Sequence, residues 1–199
     1  APHVPVHLGS MSEAIRTVIK LNKDNIFPGD VFVLNAPFNG GTHLPDVTVI
    51  TPVFDKSGKK IIFFVASRGH HADIGGTTPG SGPPDSKHIE EEGVLIDNFK
   101  MFDKGVFKEK EMKNILSSGK YPCRNVDHNM ADLAAQVAAN KTGINEINSM
   151  IDHFGIETVQ AYMNHVQDNA EECIRKAITN LREGKYEYEL DNGEFIKVT

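Results

Sequence analysis

Two short stretches hold an unusual density of metal-binding and acid–base side chains: NGGTHLPD, residues 39–46, and SRGHHADIGG, residues 67–76. Imidazole nitrogens mixed with carboxylate oxygens suit a divalent transition metal such as Mn²⁺, Zn²⁺ or Fe²⁺. His43 and Asp46 are close enough in sequence to face one point. The second stretch ends an apolar run, IIFFVA, where three titratable groups would each lose hydration. An unsatisfied buried polar group costs roughly 1–3 kcal/mol, so metal, substrate or a closed hydrogen-bond network must satisfy such a cluster.

Strands must bring the two stretches together. DVFVLNA from Asp30, DVTVITPVF from Asp46 and KIIFFVAS from Lys60 are rich in Val, Ile, Phe and Thr, and DKSGKK between the last two reads as a hairpin turn. An antiparallel hairpin sets the start of its first strand beside the end of its second, so Asp46 and the GHHAD turn should meet at one sheet edge. Adjacent side chains on an extended backbone point to opposite faces, so His70 and His71 should not both bind one ion. Asp46 and Asp73 also fit a turn-stabilising role. His3, His7, His88, His153 and His165 read as solvated or hydrogen-bonded residues.

The remaining elements frame this hairpin. APHVPVHLGS reads as an extended entry, with Ser10 and Glu13 as a capping box for a helix whose face carries Ile15, Val18, Ile19 and Asn22. GGTTPGSGPPDS, residues 75–86, is too rich in glycine and proline for a helix or central strand. GVLIDNFKMF reads as a strand and residues 108–116 as a short helix. Helical spacing follows in NVDHNMADLAAQVAAN, GINEINSMIDHFG and the long segment beginning IETVQAYMNHVQ. On the first of these, Asn129, Asp132, Gln136 and Asn140 share a face that is either a solvated stripe or a wall of the site. On the last, Val159, Tyr162, Met163, Val166, Ala170, Cys173 and Ala177 read as a buried stripe, which makes Cys173 core rather than nucleophile. KYEYEL and EFIKV around DNG form a terminal strand pair. The expected class is α+β, an antiparallel or mixed sheet followed by long helices. Its expected parts are a strand-rich region 1–107, a helical region 108–184 and a strand pair 185–199.

A net charge of −6 offers no field for a nucleic-acid backbone or an anionic membrane, and no apolar run approaches the ~18 residues of a membrane span. Two cysteines without metal-type spacing suit a reducing compartment, so a cytoplasmic protein is expected. The chain opens on Ala1, which suggests processing or excision from something longer. GGTTPGSG lacks the lysine of a nucleotide-binding P-loop.

HVPVHLG, GGTHLPDVTVITPVF, VASRGHHADIGG, DLAAQVAANKTGI and VQAYMNHVQDNAE occur in order, and together they resemble the hydantoinase B/oxoprolinase family over residues 1 to about 182. The resemblance implies a fragment of a larger hydantoinase B domain, inactive alone, in a full enzyme that is a homo-oligomer. It implies an ATP-dependent amidohydrolase that opens a cyclic amide, most naturally 5-oxo-L-proline to L-glutamate in glutathione metabolism. A hydantoinase A-like half, fused or separate, would bind ATP with Mg and phosphorylate the small-molecule substrate, and this half would support hydrolysis. A hydantoinase or acetone-carboxylase-type subunit, or a non-catalytic scaffold domain, are the alternatives. Carried over by motif, His43, Asp46 and His70 are the implied metal ligands, with His71 and Asp73 for acid–base work or ligand orientation. Arg68 is expected to hold a substrate carboxylate or a structural ion pair, and Asp132, Gln136 and Asn140 to line the substrate. Gly82 stands where the family pattern has Met.

Overall fold

The computed structural model describes residues 5–80 and 82–198. In chain order the elements are α1 (Pro5–Asn22), β1 (Val31–Leu34), β2 (Asp46–Phe54), β3 (Ile61–His70), α2 (Ile89–Glu92) and β4 (Phe99–Asp103). They continue with β5 (Val106–Phe107), α3 (Glu109–Leu116), α4 (Val126–Phe154), α5 (Ile156–Thr179), β6 (Tyr186–Glu189) and β7 (Phe195–Val198). The first five strands form one antiparallel sheet in the order β3-β2-β1-β4-β5, and β6 pairs with β7 separately. The class is α+β, as the pattern of strands followed by helices predicts. The chain divides into two units, Ala1–Ile147 and Asn148–Thr199. This division differs from the region boundaries read from sequence, because residues of α3 and the first half of α4 pack on the sheet.

Strand alternation builds a core on each face of the large sheet. Val31, Val33, Val47 and Val49 point to one side, where Met112 and Leu116 of α3 and Leu133 of α4 cover them. Phe32, Leu34 and Ile50 point to the other, against Ala14 and Val18 of α1. A sheet covered on both faces explains why β1 reads as a continuous apolar run, VFVL, rather than an alternating one. The β2–β3 hairpin has the expected register, with Asp46 opposite His70 and Val49 opposite Ser67.

Several local expectations change. The stretch before Ser10 is helical from Pro5, where proline suits a first turn that lacks N–H acceptors, while residues 1–4 lie outside the described residues. Ser10 therefore sits inside α1, its hydroxyl donating to His7 O, and caps nothing. Ile19 is exposed rather than part of the buried face. GVLID is not strand. Its backbone is satisfied by Asn35, whose amide donates to Val94 O and accepts from Ile96 N. α4 runs unbroken through Gly143, where a Cβ would lie 3.0 Å from Val65 Cγ1, so glycine there allows close packing on β3.

In the second unit the α5 stripe is not buried. Val159 is covered, but Tyr162, Met163, Val166 and Cys173 are exposed. Spacing specifies a common face, whereas burial depends on what packs against it. No described helix is long and apolar enough to cross a membrane.

Candidate functional site

Register and side-chain parity assemble the site. Even-numbered residues of β2 and β3 point toward α1, which places Asp46, Thr48, Arg68 and His70 on one face with the α1 core residues. Asp46 is buried, and its Oδ1 accepts from His70 Nδ1 at 2.8 Å. His43 reaches the same carboxylate through a tight turn in which Asp46 N donates to His43 O, leaving His43 Nδ1 3.8 Å from Asp46 Oδ2. One ligand atom from each of His43, Asp46 and His70 lies within 4.8 Å of the other two. Two imidazoles and a buried carboxylate at this spacing fit a divalent transition metal by donor type and by proximity.

His7 also belongs to this face. From the first turns of α1 its Nε2 lies 3.9 Å from Asp46 Oδ2. It reads as an ordinary solvated histidine in the sequence, because 36 residues separate it from His43 and nothing in its spacing announces the contact. Only the early start of α1 brings it there.

Arg68 bonds neutral partners on β2 and α1. Its Nε donates to Thr48 Oγ1 at 2.8 Å, its Nη1 donates to Ser10 Oγ and approaches His7 Nδ1, and its Nη2 is buried without a hydrogen-bond partner among the described residues. Burial holds the guanidinium below its ordinary value, and the neighbouring Asp46 carboxylate partly opposes this. Arg68 thus ties α1 to the β2–β3 hairpin.

Odd-numbered positions face α4. His71 is 2% exposed, with Nε2–H donating to Gln136 Oε1 at 3.0 Å and Nδ1 accepting from Asn129 Nδ2 at 3.1 Å. Gln136 Nε2 donates to Val47 O, and Asn140 Nδ2 donates to Val49 O and Thr51 Oγ1. These amides bond main-chain carbonyls of β2, on the side of the sheet opposite His70. The side chain of Asp132 is 40% exposed and lies 3.9 Å from His128 Nε2. Asp73 accepts from Arg124 Nη1 at 2.6 Å and from the Arg124 and Gly75 backbone N–H groups, so it fixes the glycine turn to the segment before α4. The polar atoms of His71 and Asp73 thus have partners within the fold.

Neither cysteine is placed to act as a nucleophile. Burial, reinforced by Asp73, pushes the Cys123 thiol up to about 12, while Cys173 is exposed on α5 in the other unit. Iodoacetamide at pH 8 should therefore alkylate Cys173 and spare Cys123, as peptide mass mapping would read. Equal labelling of the two would contradict the burial of Cys123.

Similarity to known proteins agrees with this architecture. The hydantoinase B/oxoprolinase family model matches residues 1–199. The chain is 52% identical over 189 residues to 5-oxoprolinase 1 of Arabidopsis thaliana, covering 91% of this chain and 15% of that protein. It is 46% identical over 210 residues to 5-oxoprolinase of Saccharomyces cerevisiae, covering 100% of this chain and 16% of that protein. The chain thus spans about 15% of the length of these two relatives. The crystal structure of ATP-dependent caprolactamase from Pseudomonas jessenii superposes with a TM-score of 0.78 at 30% identity, covering 94% of this chain and 31% of that one. A match along the whole length, with the His43–Asp46 turn and the β2–β3 hairpin inside it, has one reading: the chain belongs to the hydantoinase B/oxoprolinase family.

Proposed function

We propose that this chain is part of an ATP-dependent amidohydrolase that opens a cyclic amide, with 5-oxo-L-proline as substrate and L-glutamate as product. The 5-oxoprolinase relatives support the substrate, and the ATP-dependent caprolactamase supports lactam opening as the wider reaction class. A lactam is a poor electrophile because its nitrogen lone pair is delocalised into the carbonyl. Phosphorylation of its oxygen by a hydantoinase A-like half, using ATP and Mg, converts that oxygen into a leaving group and makes hydrolysis feasible near neutral pH.

The observation that carries the reading is the convergence of His43, Asp46 and His70 on one point. These residues would hold a divalent ion, Mn²⁺, Zn²⁺ or Fe²⁺. Such an ion supplies Lewis acidity that polarises oxygen and stabilises developing negative charge. The chain's own residues do the rest of the positioning. Asp46 is held in register by the hairpin, His70 is fixed by its bond to Asp46, and His43 is fixed by the turn that closes on Asp46 N.

The test is a substrate panel. The full-length protein with its ATP-binding half, given ATP and 5-oxoproline, hydantoin or acetone in parallel, should release glutamate from 5-oxoproline in step with ADP formation. Turnover of hydantoin or acetone alone would move the chain to another branch of the family. Normal 5-oxoproline turnover by protein free of Mn, Zn and Fe on elemental analysis would remove the metal from the reading.

A further inference from the structure

We propose that His7 is a positioning residue of the metal centre, an imidazole that α1 delivers to the outer oxygen of Asp46 and that Arg68 holds in orientation. The inference rests on the metal reading above and adds a residue which that reading does not use. Asp46 presents two oxygens to different partners. Oδ1 bonds His70 Nδ1 at 2.8 Å, while Oδ2 faces His43 Nδ1 at 3.8 Å and His7 Nε2 at 3.9 Å. His7 lies outside the tight group formed by the other three ligand atoms. It approaches the carboxylate from the α1 side, as a second-layer partner rather than a ligand.

The ring is not free to turn. Arg68 Nη1 lies 3.5 Å from His7 Nδ1 and also donates to Ser10 Oγ, one helical turn further along α1. A guanidinium has only donors, so its approach suits an acceptor at His7 Nδ1, and Nε2 is the nitrogen turned to Asp46. Arg68 is itself fixed by Thr48 Oγ1 on β2, the strand that carries Asp46. Thr48 and Arg68 therefore link the hairpin to the turn of α1 that carries His7, 3.9 Å from the carboxylate. Partners of ligating carboxylates set ligand orientation and basicity, and their removal commonly costs 10–100-fold in metal affinity.

The test measures Mn²⁺ affinity of the metal-depleted full-length protein by the EPR signal of the free ion. Wild type should bind, and His43→Ala should abolish binding. His7→Ala should weaken it by about 10–100-fold, and His7→Gln, which keeps an N–H donor, should recover most of the loss. Pulsed EPR of the Mn²⁺-loaded protein should detect the same number of coordinated imidazoles in wild type and His7→Ala. Wild-type affinity in His7→Ala, with binding lost in His43→Ala, would overturn the role of His7 and leave the metal reading standing. Loss of one coordinated imidazole in His7→Ala would make His7 a ligand and overturn the positioning role. Failure of wild type to bind Mn²⁺, Zn²⁺ or Fe²⁺ would overturn both.

Discussion

Replacing Asp46 with asparagine in the full-length protein should lower kcat/KM for ATP-dependent lactam opening by about 10³-fold, with loss of bound metal. Lewis-acid stabilisation is worth several kcal/mol, and each ~1.4 kcal/mol is a factor of ten in rate. Asparagine preserves the volume of this buried side chain while removing the charge that two nearby imidazoles and an ion would share. The substitution therefore separates electrostatics from packing. Circular dichroism should remain that of wild type, because β2 keeps its ladder with β3 on either side of position 46. Steady-state kinetics together with elemental analysis decides the matter. Wild-type turnover by a metal-free Asp46→Asn protein would show that the cluster is structural and that the reaction proceeds elsewhere.

The hairpin was legible before the structure because its information is local. A short polar turn joins two strands with long β-branched and aromatic runs, so antiparallel pairing follows and Asp46 must meet the end of the second strand. Parity along an extended backbone likewise separates His70 from His71 without coordinates, and the two do face opposite sides of the sheet. What parity alone could not supply was the identity of the elements covering each side. The row Asn129, Asp132, Gln136 and Asn140 is helical in spacing as expected, yet three of its members are buried against the sheet and Asp132 is not. Whether such a row meets solvent, substrate or strand edges depends on docking contacts distant in sequence. The same limit hid His7, whose relevance depends on α1 crossing the even-numbered face, and left α5 reading as buried when its stripe is exposed.

The second large effect should come from Gln136→Leu, and it should appear as loss of local stability rather than loss of substrate affinity. Gln136 Nε2 donates to Val47 O at 2.8 Å and lies 3.4 Å from Ser67 O, while Oε1 accepts from His71 Nε2 at 3.0 Å. Leucine would leave the His71 N–H buried without a partner, at about 1–3 kcal/mol, and would strip the second donor from Val47 O, which stays in the β2–β3 ladder opposite Gly69. Among the described residues the His71 ring cannot turn to another acceptor, since its Nδ1 is already occupied by Asn129, and Gly69 brings the strand close against the Gln136 amide. A cost of this size falls on the contact that clamps α4 to β2 and β3, so hydrogen exchange of amides in those strands should accelerate by about 10- to 10²-fold. The effect should be less than additive with His71→Leu, because both changes break one shared bond. At temperatures where the variant remains folded, KM should match wild type. A raised KM with unchanged exchange in β2 and β3 would instead make Gln136 a substrate contact, and α4 would then be a wall of the site rather than the support that holds its hairpin in register.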